Sequence, residues 1–213
     1  MESKMENMDR EHTVVVATGN AHKLSEIQSI LGVAPSMAGM RFVALGELGD
    51  YPDPEENGKT FLDNAIIKAR AALDETGLLM AVADDSGLVV DALDGAPGIY
   101  SARWAGEHGN DEANNDKLLE QMAEVPRERR TARFHSSVAL VTRDEDGEEI
   151  VAGSGDCEGS IAYDRRGTNG FGYDPLFELA DKPGTRMAEL TPGEKNAISH
   201  RRRALDDLVS KLG

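Results

Sequence analysis

LMAVADDSGLVVDALDGAP, residues 79 to 97, holds two β-type runs and, between them, a pair of adjacent carboxylates. Leu79–Ala83 is an apolar run of strand length. It stops at Asp84-Asp85-Ser86-Gly87, residues of turn chemistry. Leu88-Val89-Val90 then resumes as a second strand-like run. The pattern predicts strand, turn, strand, with Asp84, Asp85 and Ser86 at a strand tip. In open α/β sheets, ligands bind at the carboxyl ends of strands. Two neighbouring carboxylates placed there can hold Mg²⁺ and orient or deprotonate a water. A solvated Asp-Asp-Ser-Gly turn fits the same residues taken alone, so their meaning depends on the rest of the chain.

Upstream, Thr13–Ala17 (TVVVA) reads as a buried first strand. It runs into Thr18-Gly19-Asn20-Ala21-His22-Lys23, and a helix follows with Leu24, Ile27 and Leu31 at helical spacing. Backbone N–H groups at a helix start, with a lysine, suit phosphate. This is not a Walker loop, which needs a second glycine and a Lys-Ser/Thr pair. Arg41–Leu45 reads as a second strand, and Gly46–Gly58 as an acidic, proline-containing loop carrying Glu55 and Glu56. Thr60 and Asp63 form a capping-box pattern before a helix with Leu62, Ala65, Ile66, Ala69 and Leu73 on its stripe. Lys68 lies just off that stripe, where it can border a cleft.

Downstream, Asp111–Met122 reads as a helix. Thr131–Thr142 and Glu149–Ile161 read as an extended hairpin around Asp144–Gly147. In Arg165–Asp174 (RRGTNGFGYD) three glycines loosen the backbone, while Phe171 and Tyr173 offer flat faces. Thr191-Pro192-Gly193-Glu194 starts a final helix carrying Lys195, His200 and Arg201. On one continuous helix those three do not share a stripe. A ligand touching all of them must lie near the helix end or reach around it.

The chain has 213 residues and a formal net charge of −16, from 39 acidic and 23 basic residues. That balance argues against a broad nucleic-acid surface, which requires positive charge, and leaves room for a small anion in a local basic pocket. One cysteine, Cys157, excludes an internal disulfide and points to a reducing, cytoplasmic setting. No apolar stretch approaches membrane length, so no membrane partner is expected. Residues 1–12 read as a disordered leader without the apolar core of a signal peptide. Residues 13–213 read as one catalytic domain. No repeat or low-complexity segment is present.

Taken in order, VVVATGNAHKLSEI, TFLDNAIIKARAA, VADDSGLVVDALDGAPGIYSARWAG, RFHSSVAL, GTNGFGYDPLF and ELTPGEKNAISHRRRAL closely resemble the Ham1/RdgB family of inosine triphosphate pyrophosphatases, also called XTP/dITP diphosphatases. The resemblance runs from about Thr13 to about Leu212. It implies an α/β fold: a long, curved, mixed sheet in two lobes flanked by helices, with a central substrate cleft, commonly as a homodimer. It also implies Mg²⁺-dependent hydrolysis of non-standard purine nucleoside triphosphates to the monophosphate and pyrophosphate. Matched motif by motif, Thr18, Gly19, Asn20, Ala21, His22 and Lys23 form a phosphate loop, with His22 where many members have glycine. Glu55 matches a metal-binding glutamate, with Glu56 beside it as the other choice. Lys68 falls near the phosphates. Asp85 matches the proton acceptor and metal ligand, with Asp84 as a second acid, and Ser86 a substrate contact. Phe171, Gly172, Tyr173 and Asp174 match a nucleotide-binding loop, and Lys195, His200 and Arg201 further substrate contacts. Two other readings fit parts of the pattern: a Maf-type pyrophosphatase with another base preference, and a nucleotide-binding protein without turnover. An aspartyl-phosphate phosphatase does not fit, because no Asp-x-Asp-x-Thr/Val pattern follows an early strand.

Overall fold

The structure, a computed structural model, describes residues 8–18 and 21–212, with the side chains of 21 and 22 excepted. Most of the expected leader, residues 1–7, and the expected phosphate-loop residues Gly19 and Asn20 therefore lie outside the described residues. In chain order the elements are β1 (Thr13–Val16), α1 (Ala21–Leu31), β2 (Arg41–Ala44), the single turn α2 (Leu45–Leu48), α3 (Phe61–Thr76), β3 (Met80–Val90), α4 (Asp111–Gln121), β4 (Thr131–Asp144), β5 (Gly147–Ile161), β6 (Phe177–Leu179), α5 (Pro192–Ile198) and α6 (His200–Leu212). The strands form one mixed sheet in the order β2-β1-β3-β4-β5-β6. The chain divides into two compact units. The first comprises residues up to Asp85, Ser137–Gly155 and those from Arg203 on; the second comprises Ser86–Ser136 and Asp156–Arg202.

In the first unit β1 runs parallel to both neighbours, with Val15 opposite Val43 of β2 and Ala81 of β3. A parallel strand needs helices on both faces, because its crossovers place them there. Alternate residues divide accordingly. Val14, Val16, Val82, Val138 and Leu140 pack with Ile27, Ile30 and Leu31 of α1 and with Ala204, Leu205 and Leu208 of α6. Val15, Val43, Ala81, Ala83 and Val141 pack on the other face with Ala69, Ala72 and Leu73 of α3. Helix α3 opens on the expected capping box: Thr60 Oγ1 accepts from the Asp63 N–H (3.1 Å), and Asp63 Oδ2 accepts from the Thr60 N–H (3.0 Å). It closes at Gly77, whose φ of 64° a side chain rarely adopts. Its buried side also takes in Asn64, a polar residue outside the expected apolar stripe.

The second unit builds its core from Leu88, Val90, Ala132, Phe134, Cys157 and Ile161 on the strands, with Leu118 and Met122 from α4 and its end. Cys157 is a buried packing residue, as its alternating stretch predicts. β6 adds to β5 antiparallel, Gly159 opposite Leu179. The expected hairpin is present as β4 and β5. Its loop is tied by Asp144 Oδ1, which accepts from the N–H groups of Asp146 (2.8 Å) and Gly147 (3.0 Å).

Two expectations are corrected. Asp84-Asp85-Ser86-Gly87 is not a turn at a strand tip: β3 runs through it without a break, and both carboxylates are buried. The final helix is not continuous. Ser199 takes an extended conformation (φ −63°, ψ 149°), ending α5, and its Oγ accepts from the Arg202 N–H (3.1 Å) to cap α6.

Candidate active site

Successive side chains of a strand point to opposite faces of the sheet. Asp84 therefore shares the face of Val82 and α1, while Asp85 shares the face of Ala83 and α3. Each finds a lysine on its own side. Lys23, in the first turn of α1, donates to Asp84 Oδ1 (3.1 Å) and Oδ2 (3.3 Å). Lys68, in the middle of α3, donates to Asp85 Oδ1 at 2.8 Å. An unpaired buried carboxylate costs several kcal/mol. The lysines offset that cost, so the strand can pass through a segment of turn composition. The two acids do not converge on one point as a strand-tip pair would.

Around Asp85 the site is built from α3 and the acidic loop. Asn64, one helical turn before Lys68, donates from Nδ2 to Asp85 Oδ2 (3.3 Å) and accepts the Gly58 N–H at Oδ1 (2.9 Å). That second bond ties the acidic loop to α3. Glu56 then lies 3.5 Å from Lys68 Nζ, whereas Glu55 is exposed. Asn64 escaped the sequence reading, although the i, i+4 spacing to Lys68 within Asn-Ala-x-x-Lys carried the signal. Burial pushes the Asp85 carboxyl above its ordinary range; Lys68 and Asn64 pull it back, and Glu56 adds to the rise. Burial works against the Lys68 ammonium, but Asp85, with Glu56 and Asp84 behind it, holds its pKa above the usual lysine value. Thr18 and Lys68 also line a pocket of about 210 Å³ within this unit, walled by Tyr51 and the carboxylates of Asp50, Asp53 and Glu75.

The second unit holds a pocket of about 250 Å³. Its lining includes Ser86, Phe171, Gly172, Tyr173, Asp174, Lys195 and His200, all expected from the sequence, and Ser101, Asp111 and Phe134, which were not. The break at Ser199 lets Lys195 and His200 serve the same pocket despite their off-stripe spacing. Arg201 is half-buried and does not line it. The His200 ring stacks on Phe134, with centroids 5.2 Å apart and planes 21° apart. Tyr173 is a core residue whose hydroxyl donates to the Ser101 carbonyl (2.9 Å); burial pushes its pKa far up, so it stays protonated. Phe171, in contrast, is 68% exposed and carries Lys195 Nζ over its ring at 4.3 Å. Asp174 is buried. Its Oδ2 accepts the Phe171 N–H (2.9 Å) and pairs closely with Lys195. Gly170 is obligatory here: φ is +79°, and a Cβ would sit 1.9 Å from Asp174 Oδ2.

The first set of residues is a pair of lysine contacts to buried carboxylates; the second lines a pocket that includes the Phe134 and Phe171 rings. A family model described as the Ham1 family matches residues 14–211, and the chain belongs to that family. It is 50% identical over 204 residues to a protein of Corynebacterium efficiens named dITP/XTP pyrophosphatase, covering 93% of this chain and 96% of that one. A protein of Geobacter sulfurreducens with the same name is 51% identical over 200 residues, covering 94% and 96%. Among solved structures, a HAM1 protein from Coxiella burnetii superposes with a TM-score of 0.81 at 43% identity, covering 94% of this chain and 98% of that one. A nucleoside-triphosphatase / dITP/XTP pyrophosphatase from Mycobacterium abscessus gives 0.75 at 48% identity, covering 91% and 96%. Among the described residues, no helix is long and apolar enough to cross a membrane.

Proposed function

We propose that this chain hydrolyses purine nucleoside triphosphates carrying hypoxanthine or xanthine (ITP, dITP and XTP) to the monophosphate and pyrophosphate. The observation that carries the reading is that relatives named dITP/XTP pyrophosphatase are half identical to it over nearly their whole length. In this reading Lys23, Lys68 and Asp85 serve the triphosphate, and Phe171, Lys195 and His200 serve the base. Asp85 accepts a proton from the attacking water. The water oxygen bonds to the α-phosphorus, and the bond from that phosphorus to the bridging oxygen breaks, releasing pyrophosphate. A carboxyl held above its usual range by burial is a better base than an exposed one. Lys23 and Lys68 offset the charge of the phosphate oxygens.

Mg²⁺ belongs to the same proposal. Among the described residues no three His, Cys, Asp or Glu side chains cluster as a metal cage. Mg²⁺ does not require one, since it is usually bound by one or two carboxylates plus substrate phosphates and water. Glu56 and Asp85 share the Lys68 ammonium, at 3.5 and 2.8 Å, and offer the hard oxygens that suit this ion. They would hold it, and it would supply charge neutralisation to the departing pyrophosphate. Asp84, turned to the other face and paired with Lys23, is better placed to orient that lysine. A homodimer and a cytoplasmic location are supported by the family resemblance.

For the base, Lys195 and His200 offer donors to a 6-oxo group. Adenine presents an amino group there instead and leaves a donor unpaired, which is a strong ground for rejection. The test is turnover of dITP with Mg²⁺: dIMP and pyrophosphate are expected in equal amounts. Orthophosphate with the diphosphate would refute the bond assignment, and tight binding without products would favour the non-catalytic reading.

The pocket also predicts a pH dependence. Burial raises the Asp174 carboxyl above its ordinary 3.8, with Lys195 and the Phe171 N–H opposing the rise. The ionised form that holds Lys195 is therefore lost, as pH falls, earlier than for an exposed aspartate. Inosine has no titrating group in that range. Its affinity should drop about tenfold on acidification, or about 1.4 kcal/mol, while Asp174→Asn should bind weakly at every pH. Titration calorimetry from pH 7 downward checks this; parallel curves for the two proteins would contradict it.

A further inference from the structure

We propose that the first turns of α4 act as a staple that sets the base pocket, with Asn115 as a positioning residue for Phe171 and Lys195. The inference rests on the assignment of this pocket to the base.

The segment that presents Phe171 has little packing of its own. Arg166 through Phe171 are all exposed, and Gly167, Gly170 and Gly172 have φ of 84°, 79° and 59°. Glycine-rich backbone loses more freedom on ordering than any other, so something outside the segment must hold it. Its middle is tied by Asn169, which donates to the Ala188 and Leu190 carbonyls (both 3.0 Å); its two ends the structure assigns to one helix. Both backbone polar groups of Gly172 are gripped by α4. Its N–H donates to Asp111 Oδ2 (2.6 Å), and its carbonyl accepts from Asn115 Nδ2 (2.8 Å). Asp111 and Asn115 are four residues apart and so share a side of the helix. Asn115 is only 2% exposed and donates also to the Asp111 carbonyl (2.8 Å). Its Oδ1 is buried with no hydrogen-bond partner among the described residues, so the side chain serves through its two donors.

The other end of the segment is held by the same helix. Arg165 donates to Glu112 Oε2 (2.6 Å), to the Glu112 carbonyl (3.2 Å) and to Asp116 Oδ1 (2.7 Å). The helix start is itself capped by Asn110, whose Oδ1 accepts the Ala113 N–H (3.1 Å). Asp111 is the only one of these α4 residues that lines the pocket. Asn115, Glu112 and Asp116 act at one remove, by deciding where Phe171 and the Lys195 resting on it stand.

Asn115→Asp keeps the shape and removes both donors. Kinetics on ITP and hydrogen exchange of the peptide spanning 165–174 are measured together. The expected result is faster exchange, KM raised about tenfold, and kcat within about twofold, because Asp85 and Lys68 belong to the first unit. Arg165→Met, which loosens the exposed end, should raise KM by a smaller factor and covers the case in which Asn115→Asp folds poorly. Unchanged KM in both variants, or unchanged exchange, overturns the staple. Phe171→Ala separates the two levels of the argument. If it raises KM while the α4 variants do not, the staple alone fails. If it too leaves KM unchanged, the base-pocket assignment falls and the staple with it.

Discussion

Asp85→Asn should lower turnover by about two to four orders of magnitude, the usual range for a general base, and leave the fold intact. Asparagine has the same shape, and its carbonyl can still accept from Lys68, which donates to Asp85 Oδ1 at 2.8 Å. Removing the negative charge leaves Lys68 with Glu56 at 3.5 Å, so the ammonium is not stranded. What disappears is the capacity to take a proton from water. Substrate affinity, measured at equilibrium, should change far less than kcat. Near-wild-type turnover in a folded Asp85→Asn protein would remove Asp85 from the mechanism. Asp84→Asn is the informative neighbour: paired with Lys23 on the other face, Asp84 should affect KM for the triphosphate more than the Mg²⁺ requirement.

The largest expected effect on stability belongs to Arg130. It is 2% exposed, and its guanidinium donates to the carbonyls of Ile161 (2.7 Å), Ala162 (3.0 Å), Met122 (2.5 Å) and Val125 (3.2 Å). The Tyr163 ring lies 4.1 Å from its Cζ. One side chain thus joins the segment after α4 to the end of β5. Arg130→Ala removes the guanidinium donors at once. The Met122 and Val125 carbonyls keep the Val125 N–H and the Tyr163 hydroxyl, respectively. The Ile161 and Ala162 carbonyls lose theirs, each costing about 1–3 kcal/mol if water does not reach it. A net loss of about 3–5 kcal/mol is expected, by analogy with breaking a buried charged pair. At 2–4 °C per kcal/mol for a chain of this size, Tm should fall by about 6–20 °C. Thermal unfolding measures it; a fall of less than about 2 °C would mean that water replaces the guanidinium without penalty.

Much of the architecture was legible because it rests on local physics. The β-branched run at Thr13, the helix caps at Thr60 and Thr191 and the Asp144–Gly147 turn act within a few residues of themselves, and a linear pattern records such effects. The order of motifs was enough to place the chain in its family.

Tertiary structure decided the rest. Asp84-Asp85-Ser86-Gly87 has the composition of a turn, yet it is strand, because Lys23 and Lys68, 61 and 17 residues from their partners, neutralise the two acids inside the protein. Once the strand is continuous, its period of two sends Asp84 and Asp85 to opposite faces, and a two-carboxylate tip becomes two separate lysine–carboxylate pairs. Which glutamate stands beside Lys68 was equally closed to local reading; Asn64, by holding Gly58, brings Glu56 there. Arg130 looks no different in sequence from Arg127 and Arg129, which are exposed. Sequence by itself determined those helix and strand ends that a local cap or tight turn marks, at Thr60, Asp144–Gly147 and Thr191, because capping and turn chemistry are short-range. Which charges are buried, and against what, was set only by the assembled chain, because the energy of a buried charge depends on partners that come near it through folding.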